Sequence, residues 1–176
     1  VPVDIRIAEL DNEALVNDLD DLSGILVDSV TAGAAIGFML PLSKEEARRF
    51  WSQDIGNALS RGERILFGAR LGPRLVGTVQ LVAACPRNQP HRCEIAKMMV
   101  HPEMRRRGIG RMLMHAALER ARDIGKTLVT LDTRSRDVAL GLYSSLGFEI
   151  AGEIPDYAWD SDGQAMHATT YMFRRL

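Results

Sequence analysis

The stretch Val100-His-Pro-Glu-Met-Arg105-Arg-Arg-Gly108-Ile-Gly110-Arg-Met-Leu-Met-His115 runs from an apolar segment into a basic, glycine-punctuated turn and resumes as an amphipathic helix. Gly108 and Gly110 let the backbone approach a ligand closely. A helix starting there offers unpaired N–H groups and the positive end of its dipole. With Arg105, Arg106 and Arg107 ahead of them, the natural guest is a multiply charged phosphate or pyrophosphate. The spacing Arg105-x-x-Gly108-x-Gly110 is not a Walker A loop, because no Gly-Lys-Ser/Thr follows. Nor is it the G-x-G-x-x-G of dinucleotide folds, because position 113 is Leu. Alone, the turn reads equally well as an ordinary strand-to-helix connection with a solvated basic face.

Working outward, residues 93–100 read as a strand entering the turn, and the helix leaving it runs from Ile109 to about Ile124, with Gly125 as its stop. Ile109, Met112, Leu113, Ala116, Ala117 and Ala121 form its expected apolar stripe. A strand over 127–133 follows, parallel to the first if the crossover is right-handed. Next come a short helix at about 137–146 and a terminal hairpin of strands near 148–154 and 167–174, joined through Asp160-Ser-Asp-Gly163. On the N-terminal side, Gly72-Pro73-Arg74 separates two β-rich runs, 64–71 and 75–84. Ahead of them lie a strand at 3–7 and a helix over about 13–30 carrying Leu15, Leu19, Leu22, Leu26 and Val30. A second helix, opened by the capping box Ser43-Lys-Glu-Glu46, extends to about Leu59.

With 176 residues, 46% of them hydrophobic, the chain suits one domain over 1–176 with one mixed sheet. Lys plus Arg (22) nearly balance Asp plus Glu (23), so neither nucleic acid nor an acidic membrane is an expected partner. No apolar run reaches membrane-spanning length and no start resembles a signal peptide, so a cytoplasmic location is expected. Cys85 and Cys93 could bridge a hairpin, but they lack the companions of a zinc site, and no metal is expected.

The turn is followed, about thirty residues on, by Ala139-Leu-Gly-Leu-Tyr143-Ser-Ser-Leu-Gly147-Phe148. Together the two segments resemble the GNAT superfamily of acetyl-CoA-dependent N-acetyltransferases. There Q/R-x-x-G-x-G/A binds the coenzyme A pyrophosphate, and A-x-x-L-Y-x-x-x-G-F follows on the next helix. Arg105, Gly108 and Gly110 match the first pattern; Ala139, Tyr143, Gly147 and Phe148 match the second. One position departs: where the family often has Asn three residues before that Ala, this chain has Arg136. The stretches Val30-Thr-Ala-Gly-Ala-Ala-Ile-Gly-Phe-Met39, Leu131-Asp-Thr133 and Gly152-Glu-Ile-Pro-Asp-Tyr157 add a closer resemblance, to the tabtoxin-resistance acetyltransferases, which detoxify a small amino-acid-like β-lactam.

The superfamily resemblance implies an α+β fold: a mostly antiparallel, twisted sheet of about seven strands with one parallel pair, flanked by about four helices. It implies acetyl-CoA as cosubstrate and direct attack by a primary amine in a ternary complex. Met98, Met99, Val100, Arg105, Arg106, Arg107, Gly108, Ile109, Gly110 and Arg111 would bind the coenzyme, with Lys97 also lining the opening for its pantetheine arm. Tyr143 sits where the family places the acid that protonates the departing thiolate; its plain alternative is a core aromatic. A primary ammonium with a pKa near 10 is about a thousandfold short of free base at neutral pH, so a base is useful. Glu94 and Asp132, acids in strands whose neighbours are apolar, are the candidates. Each has a plainer reading: Glu94 as partner of Arg92, Asp132 as a turn cap. Glu94 and Lys97 fall on opposite faces of a regular strand unless a bulge intervenes. His101 reads as a surface or capping residue, while His167, Trp51, Tyr157 and Trp159 could shape an acceptor pocket. The expected acceptor is a small-molecule amine, plausibly an amino-acid-like toxin or antibiotic. A peptide or protein amine is the alternative, a non-catalytic acetyl-CoA sensor is the reading from another class, and the chain could be a monomer or a homodimer.

Overall fold

In the computed structural model, which describes residues 4–176, a seven-stranded sheet organises the chain. The strands are β1 (Ile5–Leu10), β2 (Arg64–Leu71), β3 (Arg74–Val82), β4 (Arg92–Val100), β5 (Leu128–Arg134), β6 (Glu149–Trp159) and β7 (Met166–Arg175). Their spatial order is β1-β2-β3-β4-β5-β7-β6, and only β4 and β5 run parallel. This is the mostly antiparallel α+β sheet expected from the sequence. The opening strand lies slightly later than expected, and Val3 falls outside the described residues.

Helices cover both faces. On one, α5 (Ile109–Asp123) and α6 (Val138–Ser145) pack over a core that includes Val79, Leu81, Ile95, Val129 and Leu131. The buried stripe of α5 is Ile109, Leu113, Met114, Ala117, Leu118 and Ala121. Met112, expected in that stripe, is 38% exposed, because the helix is rotated so that Met114 and Leu118, on the other side of the Leu113–Ala117–Ala121 line, face the core in its place. Each fully buried leucine of such a stripe contributes roughly 1.5–3 kcal/mol over an exposed one.

The opposite face is covered by α1 (Asn12–Asn17), α2 (Leu19–Thr31), α3 (Lys44–Arg49) and α4 (Gly56–Ser60), around Leu22, Leu26, Val30 and Trp51. The continuous helix expected over 13–30 is broken at Asp18, whose carboxylate turns away to bond Arg70 on β2. Ser43 caps α3 as its capping box requires, its Oγ accepting from the Glu46 N–H at 3.1 Å. A π-helical stretch, Phe50–Ile55, joins α3 to α4, and its wider turn carries both Trp51 and Ile55 into the core. Trp51 is therefore a core residue and not part of an acceptor pocket.

Two irregularities shape the middle of the sheet. The parallel pairing lasts only three residues, Arg92↔Leu128, Cys93↔Val129 and Glu94↔Thr130, after which β4 and β5 part. On the other side of β4 the register slips between Thr78↔Met99 and Gln80↔Ala96. Val79 thus faces two residues, Lys97 and Met98, and Lys97 takes the left-handed conformation at φ +50°. This bulge bends β4 away from β5 and opens a V within the sheet.

Candidate active site

The V has a backbone wall. His101 donates its N–H to Val76 O across β3 at 2.9 Å, so the alternation of an extended strand turns the Val100 N–H the other way, into the opening. Met99 sends its side chain into the core beneath α2, leaving its main chain to the V, while Met98 packs toward Gly110.

At the wide end stands the turn from which α5 starts. Gly108 is the helix N-cap at φ +79°, with no side-chain capping bond, so the first-turn N–H groups of Ile109, Gly110 and Arg111 lack intrahelical acceptors. A Cβ on Gly108 would meet nothing within 4 Å, so conformation alone favours glycine there. Gly110 is chosen for space: a Cβ would lie 3.3 Å from Leu142 Cδ2 and 3.5 Å from Met98 Sδ. Arg105, Arg106 and Arg107 are exposed, and Arg105 Nε donates to Val100 O at 3.3 Å. Arg111 is not free for a ligand in the same way, since its Nη2 donates to Ser145 Oγ at 2.8 Å, tying α5 to α6.

Below the splay, Gln89, Arg92, Glu94, Thr130, Leu131, Asp132 and Tyr171 line an open cavity of about 430 Å³. The two carboxylates singled out from sequence are thereby brought to one space. Arg92 stands between the strands, its Nη1 donating to Thr130 Oγ1 at 2.9 Å and lying 3.6 Å from Glu94 Oε2. The Glu94 side chain nonetheless stays 41% exposed. Asp132 is exposed, and it accepts from Thr169 Oγ1 at 3.1 Å instead of capping the following turn. Tyr157 and Tyr171 share a 2.9 Å hydroxyl contact, which pushes Tyr171 up to about 12. Thr130 and Tyr171 were not candidates from sequence. The signal for Thr130 was present in the alternation Val129-Thr130-Leu131-Asp132, whereas Tyr171 is recruited by its register opposite Asp132.

Tyr143, on α6, is 6% exposed and packs edge-on to Phe148 at 6.1 Å. Burial, with Asp137 and Asp132 nearby, raises its phenol pKa well above the ordinary tyrosine value. Gly147 at φ +83° closes the helix, letting Phe148 N–H bond Tyr143 O at 3.1 Å. Arg136, at the departure from the family pattern, adopts φ +66°.

A roof forms from loops distant in sequence. Leu40 N–H donates to Ser161 O at 2.7 Å and Ser161 Oγ to Val30 O at 3.3 Å, stitching the 32–43 segment to the turn between β6 and β7. His101 caps the 3₁₀ turn Pro102–Met104 but is buried, not a surface residue, with its Nε2 3.0 Å from Asp28. His167 is engaged by Asp160 at 3.0 Å, and Trp159 is exposed on the edge strand. Cys85 and Cys93 are free thiols, and burial pushes Cys93 up to about 11. Among the described residues no cluster of His, Cys, Asp and Glu could hold a metal, and no helix is long and apolar enough to cross a membrane.

Residues 31–148 match the Acetyltransferase (GNAT) family, and the chain belongs to it. It is similar to an uncharacterized N-acetyltransferase of the hisH–hisA intergenic region in Azospirillum brasilense, 33% identical over 133 residues covering 74% of this chain and 76% of that protein. It also matches the N-alpha-acetyltransferase RimI of Mycobacterium tuberculosis at 38% over 86 residues, 48% of this chain and 52% of that one. Among solved structures, the Salmonella typhimurium acetyltransferase yncA with its cofactor acetyl-CoA superposes with a TM-score of 0.79 at 19% identity, covering 98% of this chain and 94% of that chain. The enzyme class is thus N-acetyltransferase, on the same fold as that structure.

Proposed function

We propose that this chain acts as one catalytic domain that transfers acetyl from acetyl-CoA to the primary amine of a small molecule. The carrying observation is the V: a strand pair that parts after three residues, with an anion-binding helix start at one end and two carboxylates at the other. The residues present suit coenzyme A. The free N–H groups at 109–111 and the arginines at 105–107 meet the pyrophosphate, and the Met98 and Val100 main chain meets the pantetheine arm. The coenzyme supplies an activated acyl group and a thiolate leaving group.

The protein's part is to move protons and hold reactants. Glu94 and Asp132 hold the acceptor ammonium and take its proton, directly or through water in the open cavity. The N–C bond then forms, the Val100 N–H supporting charge on the carbonyl oxygen; the nitrogen gives up a second proton to the same carboxylates or their water as the thioester C–S bond breaks. Tyr143 remains protonated because it is buried, and it is the donor to the departing sulfur. Neither cysteine lines the cavity, which favours direct transfer without an acyl-enzyme.

The toxin-resistance motifs, and the 32–43 segment held against the turn between β6 and β7, support a small amino-acid-like acceptor, such as a toxin or antibiotic; a cytoplasmic location belongs to the same reading. The similarity to RimI favours an N-terminal peptide amine as the second reading. Thermal unfolding with and without saturating acetyl-CoA tests the donor site: selective binding raises the midpoint, and no rise overturns the assignment. Thiol release across small amines and short peptides then separates the two acceptor readings.

A further inference from the structure

Beside the carboxylate cavity the same sheet face carries a second, oppositely charged set of groups. Arg64, Val82 and Glu94 lie opposite one another across β2, β3 and β4, as do Leu66, Gln80 and Ala96. Arg64, Gln80 and Glu94 therefore share the face turned away from α5. Gln80 is completely buried; its Oε1 accepts from Arg64 Nη1, and its Nε2 has no partner. One residue further along β4, the bulge places Lys97 at the rim of this face. Its Nζ lies 5.9 Å over the Phe38 ring and 3.7 Å from where a Cβ on Gly37 would be, beneath the 32–43 roof.

Lys97 is half-buried, yet neither it nor Arg64 has an ion-pair partner among the described residues. Burial, and then Arg64, press its ammonium pKa down, against the pull of Asp132 and Glu94. A cation taken from water without a counter-charge is costly, as is a buried amide N–H with nothing to donate to. A φ of +50° at a lysine adds strain, which is tolerated where the surrounding structure fixes it. An anionic group on the acceptor would supply the missing counter-charge to Lys97, with Arg64, held by the buried Gln80 Oε1, reinforcing the positive field.

We propose that Lys97, with Arg64 positioned beside it by Gln80, binds a carboxylate of the acceptor, while Glu94 and Asp132 bind its amine, so that the substrate class is free amino acids. The inference rests on the acetyltransferase reading above. It assigns Lys97 to selecting the acceptor, a role separate from lining the pantetheine opening. It also disfavours an N-terminal peptide amine, whose neighbouring carboxyl is tied up as an uncharged amide.

The test compares free α-, β- and γ-amino acids with their own carboxamides, which keep the amine and remove the negative charge. Wild-type enzyme should prefer at least one free acid by roughly ten- to hundredfold in kcat/KM, the scale of a hydrogen-bonded charge. Lys97→Met should shrink that acid-to-amide ratio by about tenfold, mainly through acceptor KM, and Lys97→Arg should restore much of it. Unfolding midpoints of both variants show whether the bulge still folds. A structural role alone would lower both substrates together and leave the ratio intact, and that overturns the proposal. So does equal use of acids and amides, or a wild-type enzyme stabilised by acetyl-CoA that acetylates no free amino acid. An absence of acetyl-CoA stabilisation would instead remove the donor-site reading, and this inference with it.

Discussion

The proposed donor and acceptor ends of the cleft are assembled in opposite ways. At the donor end, six successive residues, Arg105 to Gly110, shape a turn that sets three exposed arginines beside the main-chain N–H groups at the start of α5. At the acceptor end, Arg64, Gln80, Glu94, Lys97, Asp132 and Tyr171 come from β2, β3, β4, β5 and β7, and every working group is a side chain. Local conformation therefore governs the first, and strand register governs the second. A substitution at the donor end has to be judged by φ and ψ, whereas at the acceptor end it has to be judged by charge.

The largest effect should come from removing charge at the acceptor end. Glu94→Gln with Asp132→Asn should reduce kcat/KM by about 10²–10⁴, the range of general acid–base catalysis, while acetyl-CoA still raises the unfolding midpoint. Retention of wild-type turnover with a good amine would show that neither carboxylate handles the proton. Tyr143→Phe should lower kcat by about a hundredfold with acceptor KM little altered, the outcome expected of a phenol that protonates the leaving sulfur. Because burial raises its pKa, Tyr143 should contribute no falling limb to kcat up to pH about 10, where an exposed tyrosine would ionise. A limb near that pH that vanishes in the Phe variant would contradict the buried phenol.

At the donor end the expected effects are conformational and smaller. Gly108→Ala meets no steric obstacle, so the cost of φ +79° alone, about 1–2 kcal/mol, should appear as lost stability in urea unfolding, and, if the free turn relaxes to escape it, as roughly tenfold weaker acetyl-CoA binding by calorimetry. Lost stability with unaltered affinity would mean that the strained turn keeps its shape in the free protein; unaltered stability and affinity together would mean that neither depends on φ at Gly108. Smallest is Arg136→Asn: Asn tolerates the left-handed region better than Arg, so urea unfolding should show about 0.5 kcal/mol of added stability. A loss instead would indicate that the Arg136 side chain contributes more than its backbone strain costs.

This contrast also explains what could be read from sequence. Arg105, Gly108, Gly110 and Tyr143 occur in two short runs whose spacing carries their meaning, and β-rich runs, turn signals and hydrophobic periodicity located the strands and the main helices, although β6 continues to Trp159, past its expected end at 154. The Lys97 bulge has no local signature: it becomes visible only when Thr78 is found opposite Met99 and Gln80 opposite Ala96. Gln80 lies in an apolar run that gives no hint of an unpaired amide. Trp51 and Met112 were misplaced for a related reason, since a π-helical turn and a small helix rotation decide which side of a helix faces inward. Likewise, Asp18 ends α1 through Arg70, a partner 52 residues away.

The short parallel contact between β4 and β5 has a further consequence. Strand edges with unsatisfied amides ordinarily lie at the periphery of a sheet, but here two of them face each other at its centre. With the pantetheine arm seated as proposed, the coenzyme serves as a temporary strand between two half-sheets. Each catalytic cycle then completes the sheet and dismantles it again, and product release becomes a small, local unfolding step. Amide hydrogen exchange at residues 97–100 should accordingly slow when acetyl-CoA binds, by more than at β2 or β3.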